Sequence, residues 1–100
     1  MVELDGARQD MVWRCLNVLE LPGSRSRYEL ENFIQRQPKR FLGNYSPREF
    51  IFILEKLKVV KIEWRKRYAV SFQNIVITKK GLKFLEDWKL DPDFAWNEIK

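Results

Sequence analysis

The stretch SPREFIFILEKLKVVKIEW, residues 46–64, joins a helical pattern directly to a strand pattern. Its first four residues, Ser-Pro-Arg-Glu, match a capping box with proline in the first helical position, where a missing N–H costs nothing. The apolar residues that follow recur at helical spacing and predict a helix over residues 47–58. From Val59 the apolar period changes to two, which predicts a β-strand. The chain therefore passes from a capped amphipathic helix into a sheet without a long connection.

The two faces of this helix differ in chemistry. Phe50, Leu54 and Leu57 face the predicted core, with Ile51 and Ile53 beside them. At about 100° per residue, the opposite face carries a mixed set of side chains: Arg48, Glu49, Phe52, Glu55 and Lys56. The apolar face anchors the helix, and the opposite face remains for solvent or a partner.

Residues 59–78 predict a β-hairpin, because their apolar positions alternate. One parity is shared by Val60, Ile62, Trp64, Tyr68, Val70 and Phe72, and it flips to Ile75 and Ile77. Such a flip marks a turn or bulge, which places the tip near residues 65–67 or near residues 73–74; a three-stranded meander with both turns also fits. The parity makes Trp64 a core anchor. Lys66 would point inward in a continuous strand, and because burying a lysine is costly, it favours a turn, a bulge or an edge there.

The remaining elements are helical. Apolar spacing predicts a first helix over residues 10–21, and a Ser-Arg-Tyr-Glu capping box opens a second over residues 26–37. Thr78 begins a further helix. An Asp-Pro pair then opens a short last helix, because proline again occupies the first helical position. This last helix carries three apolar side chains: Phe94, Trp96 and Ile99.

Positive charge is concentrated in the middle of the chain. The 100 residues carry a net charge of +5 and fit one domain with 45% hydrophobic residues. Residues 25–89 hold 16 bases and 7 acids, a net charge of +9, whereas residues 1–24 and residues 90–100 each carry −2. A basic central domain points to a polyanion, nucleic acid first. The alternative is ordinary charge that keeps the chain in solution.

The residue types argue against an enzyme. Histidine, the commonest general base near neutral pH, is absent. A single cysteine, Cys15, allows neither an internal disulfide nor the usual zinc ligands. Asp87, Asp91 and Asp93 lack the spacing of a calcium loop, and the scattered glycines form no phosphate loop. We therefore expect no catalysis, no cofactor and no metal. The lone cysteine and the absence of a visible signal peptide predict a cytoplasmic protein.

Two runs of sequence resemble a known family. The run IVITKKGLKFL, residues 75–85, is similar to the end of the wing and the start of the next helix in MarR-like and PadR-like regulators, which often read L-T-x-x-G-x-x-F/L. Thr78 and Gly81 stand in the matching places. The run LEKLKVVKIEWRKR, residues 54–67, is similar to the passage from recognition helix into wing in the same group. Two departures are that residues 38–45 are longer than a tight turn and that the wing has no glycine-rich tip.

The resemblance implies an α+β fold, the winged helix-turn-helix. Such a fold has three helices, a β-hairpin wing and a fourth helix, here followed by a short C-terminal helical tail. The resemblance to the winged helix-turn-helix covers roughly residues 10–88. Residues 1–9 then form an N-terminal extension, and residues 89–100 form an aromatic C-terminal helical segment.

The same resemblance implies a small DNA-binding protein, a transcriptional regulator that acts as a homodimer on double-stranded DNA. The helix over residues 47–58 would enter the major groove, where Arg48 near its start meets base edges. The other basic side chains would contact backbone phosphates and position the protein. They are Arg36, Lys39, Arg40, Lys56, Arg65, Lys66 and Arg67.

Two further hypotheses use the same fold. Acidic side chains and Phe52 on the outer face of the reading helix favour a protein–protein docking module without DNA binding. The apolar side chains of its interface would be Phe52, Phe94, Trp96 and Ile99. The alternative is that the aromatic tail completes the core. The third hypothesis is RNA or single-strand binding, in which Trp64 and Tyr68 stack on bases if they face outward; their parity predicts that they face inward.

Overall fold

A computed structural model describes residues 3–100. Within this range, six helices surround one antiparallel sheet of three strands. The helices are α1 (Gly6–Leu19), α2 (Arg27–Arg36), α3 (Lys39–Leu42), α4 (Pro47–Lys56), α5 (Lys79–Leu90) and α6 (Pro92–Ile99). The strands are β1 (Ser24–Ser26), β2 (Val60–Arg67) and β3 (Val70–Ile77). The predicted fold class, α+β with a β-hairpin, is confirmed.

Side-chain caps set where the helices begin. The Ser46 hydroxyl accepts from the Glu49 N–H at 3.1 Å, and the Glu49 carboxylate accepts from the Ser46 N–H at 3.0 Å, so the predicted capping box of α4 is complete. Ser26 caps α2 in the same position. α1 begins at Gly6 and not at the predicted residue 10, because the Asp5 carboxylate accepts from the Arg8 N–H and caps an additional turn.

The predicted long connection between α2 and α4 contains one further helix, α3. Pro38 is its N-cap and Gly43, with a φ of 60°, ends it. Phe41 and Leu42 of α3 are buried and pack toward α1. The connection is therefore ordered by its own apolar side chains.

The hairpin turns at Tyr68-Ala69, since Arg67 pairs with Val70 across it. Neither predicted tip is correct: residues 65–67 end β2, and residues 73–74 lie inside β3, opposite Trp64 and Glu63. A two-residue turn reverses the parity of apolar positions between two strands, which accounts for the flip seen in the sequence. The third strand is the short β1, which pairs with the other side of β3.

The core ends halfway along the hairpin. Val60, Ile75 and Ile77 are buried and Ile62 is half-buried, whereas Trp64 on the same face is 69% exposed. The predicted role of Trp64 as a core anchor is therefore wrong, although its predicted face is correct. Val70 lies on the opposite face, because the turn precedes it. Beyond Ile62 most hairpin side chains are exposed, and the described residues together have extents of 44 × 28 × 23 Å.

The helical elements bury the rest of the core. Phe50, Ile51 and Leu54 of α4 are fully buried, as their spacing predicted. Trp96 and Ile99 of α6 are also buried, so this part of the aromatic tail completes the core. Within residues 3–100, the structure has no helix long and apolar enough to cross a membrane.

A tight junction fixes the hairpin relative to α4. After α4 the chain makes a Schellman turn, in which the N–H groups of Lys58 and Val59 donate to carbonyls of the last helical turn. Lys58 has a φ of 63° there. The Val59 carbonyl then accepts from the Thr78 N–H at 3.0 Å, where β3 ends and α5 begins. The direction of the hairpin is thus tied to both helices.

Candidate functional site

An open cleft of about 560 Å³ lies between the start of α2, the start of α4 and the hairpin. Three elements distant in sequence meet there, and several of their side chains are polar or aromatic. The lining residues are Ser26, Arg27, Tyr28, Glu31, Arg48, Trp64, Ser71, Phe72 and Gln73.

Arg48 reaches the cleft from the first turn of α4. It is exposed and follows Pro47 at the capped helix start, as the sequence predicted. Its neighbour Glu49 is engaged with the cap: hydrogen bonds from the backbone and then the side chain of Ser46 lower the pKa of Glu49. The Glu49 carboxylate therefore satisfies the helix start, so Arg48 is the charged side chain that α4 contributes to the cleft.

Arg27 connects α2 to the hairpin across the floor of the cleft. Its guanidinium donates to the Glu31 carboxylate at 2.8 Å and to the Gln73 side-chain oxygen on β3. The same group lies over the ring of Phe52, 5.4 Å from the centroid. One nitrogen, Nη2, is buried without a hydrogen-bond acceptor among the described residues. Arg27 thus connects the two sides of the cleft, and contacts within the protein occupy most of its guanidinium group.

The hairpin side of the cleft extends outward beyond the core. Trp64 and Lys66 lie on the same face of β2, because strand side chains alternate, and their partners Gln73 and Ser71 line the cleft. Lys66 is exposed although β2 is continuous. Of the three predicted alternatives, a turn, a bulge or an edge, the edge is the one found, because β2 is an outer strand of the sheet. The charge of Lys66 stays in water because the strand has already left the core.

The basic triplet at the hairpin end is divided between two faces. Arg65 and Arg67 lie opposite Lys66, on the face that also carries Phe72 and Val70. All three cations are exposed. Arg65 is 3.7 Å from the Glu63 carboxylate, an exposed ion pair, and pairs of this kind contribute little. Positive charge is therefore available on both sides of the hairpin tip.

The other basic residues that the sequence singled out lie elsewhere. Arg36 is about 180° around α2 from Arg27 and lines a separate depression beside Val18 of α1. Lys39 and Arg40 are exposed on α3, and the Arg40 guanidinium lies over Phe41, 4.9 Å from the ring centroid. The sequence therefore predicted two basic clusters correctly as exposed, and the structure does not bring the first cluster to the cleft.

Lys56 and Phe52 occupy the outer face of α4. Both border a smaller depression of about 240 Å³ together with Tyr45 and Ile53. Phe52 is 41% exposed, as predicted for that face. Of the four side chains predicted for a protein interface, Trp96 and Ile99 are buried and unavailable, whereas Phe52 and Phe94 remain exposed.

Residues 3–100 contain no group of three or more His, Cys, Asp or Glu side chains placed to hold a metal ion. Cys15 is fully buried in α1, and burial raises the pKa of its thiol. A buried neutral thiol is a packing residue.

Sequence reasoning did not identify Arg27 and Tyr28 as parts of the site. Both lie inside the Ser26–Glu29 capping segment, which predicts only that they occupy the first turn of α2. The contact of Arg27 with Gln73 of β3 follows from the packing of α2 against the sheet. No local pattern signals that contact. The comparisons with known proteins add no identification, since no family model, no curated protein and no solved structure matches this chain.

Proposed function

We propose that this protein binds double-stranded DNA as a winged helix-turn-helix, with α4 in the major groove and the hairpin beside the backbone. The observation that carries the proposal is the cleft, in which Arg48 of α4 and Trp64 of the hairpin face one space. The element order supports it, because a capped helix leads directly into an exposed basic hairpin. The net charge of +9 over residues 25–89 favours a polyanionic partner.

Arg48 is the side chain we assign to base recognition. A helix of ten residues is about 15 Å long, and the N-terminal residues of a recognition helix are those that meet base edges. An arginine at that position pairs with guanine O6 and N7, worth about 1–3 kcal/mol of discrimination. Replacing Arg48 with Ala should therefore reduce the difference in affinity between preferred and unrelated duplexes.

The hairpin cations are the groups we assign to phosphate contact. Arg65, Lys66 and Arg67 are exposed on both faces of the tip, so an adjacent DNA backbone meets positive charge from either side. Each neutralised phosphate releases counterions and adds about −0.9 to the slope of log K against log salt concentration. Removing three such contacts should flatten that slope by up to about 2.7.

The test is fluorescence anisotropy on labelled duplex DNA, titrated with salt. The variant Arg65→Ala/Lys66→Ala/Arg67→Ala should lose affinity for all duplexes alike and show the flatter slope. Its matched control is Arg36→Ala/Lys39→Ala/Arg40→Ala, which removes the same charge away from the cleft and should retain most of the slope. Absence of binding at low salt, or binding indifferent to salt, would refute the proposal.

The second candidate function is docking of a protein partner on the outer face of α4. The observation that favours it is Phe52, which is 41% exposed on that face beside Tyr45. A partner that binds there would be lost in Phe52→Asp, whereas Arg48→Ala would leave it bound. Co-purification of one stoichiometric protein with these properties, together with no affinity for DNA, would replace the DNA proposal.

We also propose that a DNA-binding form is a homodimer that uses α5 and α6. Three apolar side chains on these helices stay exposed: Leu82, Leu90 and Phe94. A second copy would cover them and double the phosphate contacts. Sedimentation equilibrium measures the oligomeric state of the protein and of Leu90→Glu. A dimer that persists unchanged in the variant would show that the surface around Leu90 is not the dimer interface.

A further inference from the structure

Trp64 is placed differently from the other tryptophans of the chain. Trp13 and Trp88 stack on each other, with ring centroids 6.1 Å apart, and Trp96 is buried. Trp64, in contrast, is 69% exposed, although its strand face begins inside the core. Tyr68 at the turn is 91% exposed. Packing of the fold therefore does not account for aromatic side chains at this end of the hairpin.

The surroundings of Trp64 are cationic. Lys66 follows on the same face about 7 Å along the strand, and Arg48 lines the same cleft from α4. Arg65 and Arg67 flank the other face. A planar ring beside separate cations matches a nucleotide, whose base presents a π-face and whose phosphate is an anion.

The positive charge of Arg65, Lys66 and Arg67 also indicates which kind of partner fits the exposed part of the hairpin. β2 is an edge strand, since the strand order is β1-β3-β2. A second copy pairing there would bring the same basic triplet close to itself, and like charges across a strand pair are destabilising. The complementary occupant is therefore an anionic one with flat apolar groups.

We infer that Trp64 is a stacking platform for an unpaired nucleobase, so that the protein prefers DNA at which a single strand leaves the duplex. Inside a duplex the bases present only their edges in the grooves. An aromatic ring at the end of a hairpin can reach the face of a base only where that base is no longer stacked on its neighbour in the duplex. Stacking of this kind accepts any base, because every base has a π-face. Lys66, on the same strand face as Trp64, then contacts a phosphate that flanks this base, and Arg48 keeps its base-edge contact in the adjoining duplex. The inference rests on the proposed function for its class of partner, nucleic acid.

The experiment compares a blunt duplex with the same duplex carrying a single-stranded thymidine tail, by anisotropy at fixed salt. We expect tighter binding of the tailed duplex by the unaltered protein. Trp64→Ala should lose about 5- to 150-fold on the tailed duplex and much less on the blunt one. Trp64→Phe should retain part of the preference, because it keeps an aromatic ring. Val70→Ala is the matched control, since Val70 is 65% exposed on the opposite face of the same hairpin.

Intrinsic fluorescence gives an independent measurement. The tailed duplex should quench the tryptophan emission of the unaltered protein, and Trp64→Phe should abolish that quenching because the other three indoles are stacked or buried. Equal affinity for both duplexes, with Trp64→Ala unaffected on each, would overturn the inference and leave duplex binding intact. Quenching and tail preference without any affinity for the blunt duplex would instead refute the proposed duplex function and support the stacking role of Trp64.

Discussion

Replacing Gly81 with Ala should destabilise the fold through one identifiable contact. An alanine Cβ at this position would lie 2.4 Å from the Val59 carbonyl oxygen and 2.7 Å from Cγ1 of Ile77. Both contacts are closer than real Cβ atoms approach, and the first involves backbone that is already engaged by Thr78. The helix α5 must therefore move away from the junction between α4 and the hairpin.

The size of the effect follows from three contributions. Overpacking costs about 1–3 kcal/mol, and weakening the hydrogen bond from Thr78 to Val59 adds about 1 kcal/mol. The higher helix propensity of alanine offsets about 1 kcal/mol of this destabilisation. We expect the free energy of unfolding to fall by about 1–3 kcal/mol, which for a domain of this size lowers Tm by roughly 10 °C.

Chemical denaturation followed by circular dichroism measures this change, with Gly6→Ala as the control. Gly6 also lies in a helix, but an alanine Cβ there would have no other atom within 4 Å. Gly6→Ala should therefore be neutral or stabilising by up to about 1 kcal/mol. If Gly81→Ala proves as stable as the original protein while Gly6→Ala behaves as expected, the close approach of α5 to Val59 is refuted.

Three further substitutions test local features. Lys58 and Tyr68 have φ of 63° and 58°, values that favour glycine. Lys58→Gly and Tyr68→Gly should therefore each raise the free energy of unfolding, measured by urea denaturation, by about 0.5–1 kcal/mol. A loss of stability in either variant would contradict the positive φ at that position. The Arg8 side chain, by hydrogen bonding, lowers the pKa of Asp5 from 3.8 to about 2. The charged carboxylate therefore stabilises the fold above pH 3.8, and this contribution is lost as the pH falls towards 2. Asp5→Asn should flatten that part of an acid titration of stability, and an unchanged profile would rule out this contribution.

Local signals in the sequence predicted α4 well. Its capping box is complete within four residues, so no distant contact is needed to recognise it. Its buried and exposed faces follow from spacing alone, and Phe50 and Phe52 lie on the sides that spacing assigns. The exposed position of Arg48 follows for the same reason. These features depend on the helix itself and not on the element that it meets.

The hairpin turn was not predictable by the same reasoning. Tyr68-Ala69 contains none of the residues that favour a two-residue turn, such as glycine or asparagine. Val70 and Phe72 continued the apolar alternation, so the turn looked like strand. β1 was missed because its residues, Ser-Arg-Ser, have no strand preference, and they pair with β3 only through the packing of the whole domain.

The exposed side chains that the apolar alternation wrongly assigned to the core bear on the proposed function. Alternation predicts burial on the assumption that a core lies beside every strand residue, and here the core ends at Ile62. Beyond it the chain keeps Trp64, Tyr68 and Val70 exposed, and Tyr68 adopts a φ that costs a non-glycine residue about 1–2 kcal/mol. A glycine at position 68 would adopt this φ without that cost. Stability does not explain these apolar side chains among three cations. They match the partner that we propose, a nucleic acid with accessible bases.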